Sequence, residues 1–344
     1  MANLQSRGAP VVRPARVLFI CGSLNQTTQL HAVARAMPDI EPRFTPFYGE
    51  RYVATMRQLG LLESTIGGNK LRARCLAYLE RNGLPVDIDG AHGGYDLVVS
   101  CTDVVIPHNL DDAPLVVVQE GILDPSGLGW HLVRRMPTAL PRWLAGTAAT
   151  GLSQKYQRFC VASRGYRDLF IARGAPAERV VVTGIPNFDD CAAYAFNDFP
   201  HRDYVLVCTS DARETLKFHN RKQFIVRAQR IAGRRPLFFK LHPNENVVRA
   251  RREIEQLVPT ASIYAEGPTE AMIANCSTLV TEWSSVAFVG LALGKEVFSS
   301  HSLNELRELM PEQNRSAARR IGRVCRQLLE PASARSARGP EVAA

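Results

Sequence analysis

A glutamate that directly follows a buried strand is placed to take a proton. Val117-Val118-Gln119-Glu120-Gly121-Ile122 has that form: an apolar run, a carboxylate, then a glycine. A general base for a hydroxyl must be held at such a rigid edge. The competing reading of Glu120 is a loop acid or helix cap. Phe239-Lys240-Leu241-His242-Pro243-Asn244-Glu245-Asn246 ends another apolar run in a polar loop. Pro243 stops the strand and holds His242 at its carboxyl end. An imidazole there can donate to a phosphate, with Lys240 adding charge, or it can satisfy a loop carbonyl.

Four more stretches carry the same kind of chemistry. Thr281-Glu282-Trp283-Ser284-Ser285 lies between an apolar run and a helical pattern that stops at Gly294. Ser284 and Ser285 are read as caps of that helix, whose opening N–H groups would seat a phosphate. Thr209-Ser210-Asp211-Ala212-Arg213-Glu214 offers the hydroxyls of Thr209 and Ser210 and the guanidinium of Arg213 to a phosphate, or is a solvated loop. In Val182-Thr183-Gly184-Ile185-Pro186-Asn187-Phe188-Asp189, Gly184 lets backbone approach a ligand or another strand. Near the start, Gly22-Ser23-Leu24-Asn25-Gln26-Thr27-Thr28 reads as a polar loop after an apolar strand. Loops at strand carboxyl ends hold ligands.

The elements that must position these residues alternate. Apolar runs at 17–21, 95–100, 115–118, 159–162 and 180–182 read as buried parallel strands. Helical patterns fall at 29–37, 48–62, 69–82 and 166–173. A second alternation has strands at 204–208, 236–241, 262–265 and 278–280 and one ending at Val297. Its helices fall at 222–232, 250–257, 269–274, after Ser285, at 304–309 and at 317–329. This predicts α/β architecture with two Rossmann-like lobes, parallel sheets and a ligand cleft between them. The expected boundaries are a flexible tail at 1–15, a first lobe at 16–192 and a second at 203–313. A C-terminal helix at 314–330 and a disordered tail at 331–344 follow.

Composition narrows the classes. The chain has 344 residues, 46% hydrophobic and 22% charged, as a two-domain globular protein would. No apolar run approaches the roughly 20 residues of a membrane span. Residues 1–16 show no apolar signal core, so a cytoplasmic location is expected. The eight cysteines show no Cys-x-x-Cys spacing, which argues reduced core thiols and no zinc site. The net charge of +9 calls for an anionic partner: nucleic acid, a phosphorylated ligand or a membrane surface. No aromatic-interleaved nucleic-acid motif accompanies it, so nucleic acid is not expected. Arg315, Arg319, Arg320, Arg323 and Arg326 alternate with Ile321, Val324 and Leu328 at helical spacing. Such a helix packs back across the lobes, or lies on the inner face of an anionic membrane as a peripheral contact.

The order strand-Gln-Glu-Gly, Val-Thr-Gly-x-Pro-x-x-Asp, Lys-Leu-His-Pro, then Thr-Glu-x-Ser-Ser and Ala-Leu-Gly-Lys resembles GT-B-fold nucleotide-sugar enzymes. The pattern is similar to bacterial sialyltransferases, Kdo transferases and CDP-glycerol glycerophosphotransferases. That resemblance covers about residues 95–300. It implies a metal-independent glycosyltransferase of surface polysaccharide or glycoconjugate synthesis. It puts a CMP-, CDP- or UDP-linked sugar on His242, Pro243, Ser284 and Ser285, and the catalytic carboxylate at Glu120. Where those enzymes carry a first acid, Gln119 stands. The residues Gly22, Ser23, Asn25, Gln26 and Thr27 would face a glycan or lipid-linked acceptor. No cofactor is expected beyond the nucleotide-sugar donor, and no Asp-x-Asp metal motif is present. The chain also resembles UDP-N-acetylglucosamine 2-epimerases at Val182–Asp189 and His242–Asn246. Those enzymes place paired glutamates after their serine, where this chain has Val286, Ala287 and Phe288. A non-catalytic sugar-nucleotide or glycan-binding protein is the third reading, and Gln119 is its motive.

Overall fold

A computed structural model describes residues 13–62, 65–110, 112–122, 128–135, 149–210, 213 and 220–330. The first lobe runs β1 (Ala15–Cys21), α1 (Leu24–Arg35), β2 (Ile40–Pro46), α2 (Arg51–Gln58), α3 (Asn69–Arg81) and β3 (Leu97–Ser100). It continues through β4 (Leu115–Val118), α4 (Leu128–Arg135), β5 (Tyr156–Val161), α5 (Arg164–Ala172) and β6 (Val180–Val182). The second lobe runs β7 (Val205–Cys208), α6 (Arg221–Ala232), β8 (Leu237–Lys240), α7 (Val247–Leu257) and β9 (Ser262–Tyr264). It ends with α8 (Thr269–Asn275), β10 (Thr278–Val280), α9 (Val286–Ala292), β11 (Glu296–Phe298) and α10 (Leu303–Glu308), before the last helix, α11 (Ala317–Leu329).

The two parallel sheets have strand orders β2-β1-β3-β4-β5-β6 and β11-β10-β7-β8-β9. Helices cover both faces, so the central strands are apolar throughout; Val17, Leu18 and Phe19 are fully buried. In β7 the alternation sorts side chains between two cores. Leu206 and Cys208 join a core that is continuous with the first lobe, and Val205 and Val207 pack under α6 and α7. Phe288 of α9 meets Tyr166 and Phe188 edge-on, both at 6.3 Å between ring centroids, which ties the lobes together.

Two elements differ from the sequence reading. Strand β2, Ile-Glu-Pro-Arg-Phe-Thr-Pro, was hidden by its prolines. It pairs with β1 along its length and, among the described residues, makes only the Phe44–Val86 bridge on its outer side, so the N–H groups that Pro42 and Pro46 lack would have met no second strand. Helix α4 was also unread. At the N-terminus, Arg13 pairs with Asp96 at 2.8 Å and Ala15 opens β1. The remainder of the expected tail, 1–12, and the tail 331–344 lie outside the described residues. All eight cysteines are buried free thiols. Among the described residues no helix is long and apolar enough to cross a membrane.

The apolar stripe of the C-terminal helix packs back on the first lobe. Beyond α10 the chain recrosses to the first lobe, where the Glu312 N–H donates to the Ala162 carbonyl at 3.0 Å. The stripe of α11 is spent on α1: Ile321 is fully buried, Val324 nearly so, and Leu328 packs against the same core. The apolar half of a membrane-lying helix is therefore covered by protein. Three arginines of the basic run are paired as well, Arg315 with Asp190 (3.0 Å), Arg320 with Glu312 (2.8 Å) and Arg326 with Asp39 (3.0 Å). The Arg326 hydrogen bonds hold the Asp39 carboxyl below its usual range. Gly322 marks the closest approach, since a Cβ there would lie 3.0 Å from Met37 Cγ. Gly322→Leu should therefore wedge α11 off α1 and cost about 1–3 kcal/mol of stability in urea unfolding. An unchanged midpoint would mean the helix is not seated this way.

Candidate active site

In open parallel sheets a ligand crevice forms where strand order reverses, outside the strand carboxyl ends. Here the reversals lie beside β1 in the first sheet and beside β7 in the second. The first is closed by the β1–α1 turn. Ser23 is the N-cap of α1, its Oγ accepting from the Gln26 N–H at 3.2 Å. The expected loop Gly22–Thr28 is thus only Gly22 and Ser23, because the Ser23 hydroxyl caps the helix and starts it early. Thr27 does not face the crevice; it is buried and donates to the Ser23 carbonyl at 2.8 Å. Asn25 is exposed, and its carbonyl accepts from Asn187 Nδ2 at 2.8 Å.

This turn holds Glu120. Ser23 Oγ donates to Glu120 Oε1 and Gln26 Nε2 to Oε2, both at 2.6 Å. Gly22 makes room for the second bond, because a Cβ there would lie 1.9 Å from Gln26 Oε1. Glu120 keeps a partial opening to the cleft. Burial raises its pKa, and the hydrogen bonds from Ser23 and Gln26 offset part of that rise. Gln119 points the other way: its Oε1 accepts from the Ala162 N–H (2.9 Å) and its Nε2 donates to the Gly121 carbonyl (2.8 Å). It ties β4 to the end of β5.

The second lobe closes around β7 and β8. The His242 N–H donates to Thr209 Oγ1 and to Glu245 Oε2, both at 2.9 Å, and Thr209 in turn donates to Glu245. His242 Nδ1 accepts from the Asn244 N–H at 3.2 Å, which leaves the proton of the neutral ring on Nε2. Beneath, Arg221 Nη2 lies 3.0 Å from Glu245 Oε1, both side chains being more than nine-tenths buried. Ser210 Oγ donates to Glu282 Oε2 at 3.4 Å across the reversal between β7 and β10.

Several residues expected on the nucleotide sit elsewhere. Lys240 is buried, and its ammonium donates to the carbonyls of Leu241 and Ala265, each at 3.2 Å; burial lowers its pKa. Arg213 is paired with Glu253 at 2.6 Å, while Asp211, Ala212 and Glu214 lie outside the described residues. Gly184, at φ +75°, accommodates protein rather than cleft: a Cβ there would meet Asn314 Nδ2 at 3.1 Å and Ala317 Cβ at 3.2 Å. Ser284 and Ser285 flank the cleft but are weak caps. Ser285 makes no side-chain cap bond, and Ser284 Oγ reaches the Val286 N–H only at 3.5 Å. The Ala287 and Phe288 N–H groups donate instead to the Ser284 and Ser285 carbonyls, a 3-10 start that needs no hydroxyl.

Across the cleft the halves touch. A Cβ on Gly121 would lie 3.4 Å from Ser285 Cβ, so the loop after Glu120 abuts the Ser-Ser turn. Pro243, on the far rim, accepts at its carbonyl from Lys70 Nζ (3.4 Å) and Arg74 Nη2 (3.5 Å) of α3. Sequence reasoning missed this cationic pair, although its i, i+4 spacing on one helix face was legible. It also missed Arg221, which nothing in the sequence marks as buried. Among the described residues no cluster of three His, Cys, Asp or Glu is arranged to hold a metal ion.

No protein-family model matches the sequence, and no curated protein matches it. Solved structures do match. UDP-GlcNAc 2-epimerase from Neisseria meningitidis, bound to UDP-GlcNAc, is 11% identical with a TM-score of 0.54, covering 90% of this chain and 99% of that one. Anabaena HepE in complex with UDP is 14% identical with a TM-score of 0.52, covering 94% and 98%. The wall teichoic acid polymerase TagF is 12% identical with a TM-score of 0.52, covering 92% and 90%. The chain has the GT-B fold of these nucleotide-sugar enzymes.

The Gly22–Gln26 arrangement predicts a non-additive pair. Gly22→Ala should cost about 1–3 kcal/mol by driving Gln26 off Glu120, and much less in a Gln26→Ala background. Urea unfolding of the four chains measures it; strictly additive costs would show that Gln26 does not lie over Gly22.

Proposed function

We propose that this chain is a glycosyltransferase that moves a sugar from a CMP-, CDP- or UDP-linked donor to a glycan or lipid-linked acceptor. Bacterial surface polysaccharide or glycoconjugate synthesis is the setting that fits the resemblance. The observation that carries the reading is the contact between the loop after Glu120 and the Ser284–Ser285 turn, with a hydrogen-bonded, half-buried carboxylate on one side. This contact supports a reading in which Glu120 and the Ser284–Ser285 turn serve one site.

In this mechanism the nucleotide lies on the second lobe. The Nε2–H of His242 and the cations Lys70 and Arg74 oppose the charge that develops on the leaving phosphate. No metal ion is called for. Glu120 accepts the proton of the acceptor hydroxyl. Its raised pKa suits a base, because a more basic carboxylate binds that proton more strongly. Ser23 and Gln26 fix its two oxygens, so the proton goes to a defined place.

The rival readings gain less. The UDP-GlcNAc-bound neighbour favours epimerisation, yet Val286, Ala287 and Phe288 bring no carboxylate beside Ser285. The silent-binder reading rested on Gln119, and that side chain is spent on backbone between β4 and β5. Glutamine there therefore says nothing about activity.

Incubation with pooled CMP-, CDP- and UDP-sugars and glycan acceptors, scoring released nucleotide, tests the proposal. Release should persist in EDTA and fall about 10²–10⁴-fold in Glu120→Gln. No acceptor-dependent release from any donor would overturn the reading, and rescue by magnesium or manganese after EDTA would overturn the metal-free mechanism. Stability should move the opposite way. A carboxyl whose folded pKa is raised destabilises the fold once ionised, and this cost vanishes below its ordinary value of 4.5. Glu120→Gln should therefore raise Tm near neutral pH, with the gain fading as pH falls toward 4.5.

A further inference from the structure

On the hinge side of the cleft, helix α5 of the first lobe meets α10 of the second. Gly165 permits the contact, since a Cβ there would lie 2.0 Å from the Glu308 carbonyl oxygen. Ser163 Oγ donates to the Leu309 carbonyl at 3.2 Å and fixes the same junction. Alongside it an open groove of about 710 Å³ is closed by Trp283 and His301. That volume lies within the range of small-molecule sites.

The inner wall of the groove includes a buried histidine. His301 is 7% exposed, and neither ring nitrogen has a hydrogen-bond partner. Its Nδ1 lies 3.4 Å from Glu305 Oε2 without hydrogen-bond alignment. Both ring nitrogens are shut off from the groove, so the ring serves there as a wall that backs Trp283 and not as a hydrogen-bonding group. The imidazole stacks edge-on to Trp283 at 4.5 Å between centroids, while the indole stays 45% exposed. Trp283 therefore presents an apolar aromatic face to the groove mouth.

The charge of the lining selects the ligand. Asp168, Glu305 and Glu308 are exposed on the rim. The one lysine or arginine among the described lining residues is Arg173, whose guanidinium lies over the Trp130 ring at 5.4 Å. A phosphate or carboxylate would face three like charges. Hydroxyl or amine donors would find acceptors, and a sugar ring's C–H face would find the indole. The opposite rim has the complementary character, with Lys70 and Arg74 beside the His242 loop.

The wall of the groove is tied to the Ser-Ser turn. Ser299 Oγ donates to the Glu282 carbonyl at 2.9 Å and accepts from the His301 N–H at 3.2 Å, so His301 and the 282–285 turn are one unit. Trp283 immediately precedes Ser284, and Ser285 abuts the loop after Glu120. We infer that this groove holds the acceptor: a saccharide with hydroxyl or amine donors and no phosphate or carboxylate on the bound residues, seated on Trp283 and His301. The assignment of the occupant as acceptor rests on the transferase reading; the sugar-binding site itself does not.

The test is binding without turnover. The full chain, free of nucleotide, is titrated with an array of neutral, amino, phosphorylated and carboxylated oligosaccharides, and separately with UDP. Neutral or amino oligosaccharides should bind, and Trp283→Ala and His301→Ala should each weaken them about tenfold or more. Asp168→Lys, at an exposed position, should weaken them too without threatening the fold; thermal unfolding verifies each variant. The inference is overturned if no oligosaccharide binds, if only the anionic ones do, or if binding ignores all three substitutions. Saccharide binding with no UDP binding would uphold the groove while removing the nucleotide reading, and the reverse would do the opposite.

Discussion

A carboxyl held by two side-chain donors at a half-buried sheet edge is the constraint on which the rest of this fold depends. Glu120 loses part of its water, and its two oxygens must be met by donors that cannot drift. Ser23 and Gln26 supply them, and both requirements run back into the chain. Ser23 must also start α1, so the helix cannot begin elsewhere. Gln26 must lie over a residue with no side chain, so position 22 must be glycine. Helix α1 must then stay fixed against its sheet, and α11 provides this from the far end of the sequence. The C-terminal helix is, in that sense, part of the site.

The second lobe solves a similar problem with different groups. His242 is useful only if its ring is oriented and its loop held open. Thr209 and Glu245 hold its backbone, Asn244 fixes its tautomer, and buried Arg221 holds Glu245. The Ser23 turn stands where strand order reverses in the first sheet, and the His242 loop follows β8, next to the strand β7 that borders the reversal in the second. The lobes are joined by the Phe288 ring contacts and by the crossing at Glu312. The cleft's two rims differ in charge, cationic at Lys70 and Arg74 and anionic at Glu305 and Glu308. A donor carrying phosphate and an acceptor carrying hydroxyls would sort themselves by that difference.

What the sequence disclosed follows a physical rule. Strands buried on both faces are written as apolar runs, so β1, β3, β4, β7 and β8 were legible. An edge strand with two prolines does not look like a strand, and β2 was missed. Glu120 and His242 were singled out because each follows such a run, and the structure places both just past strand ends. Lys240, Gly184 and Arg213 misled because residue type does not show direction. Lys240 turns into the fold, Gly184 faces the 312–317 segment, and Arg213 finds Glu253. Gln119 looked like a lost acid because its partners, at Ala162 and Gly121, belong to tertiary structure and a local turn. Arg221 had no sequence mark, since burial of a helix-start arginine is visible only once its acid partner is placed.

The central claim is that Glu120 acts as a base in a site that raises its pKa, and the pH dependence of kcat/KM for transfer tests it most directly. The account predicts a rate that climbs with pH through a single ionisation lying above 4.5, the ordinary value for a glutamate. An acid limb at or below 4.5, or a rate that stays flat through that region, would contradict it.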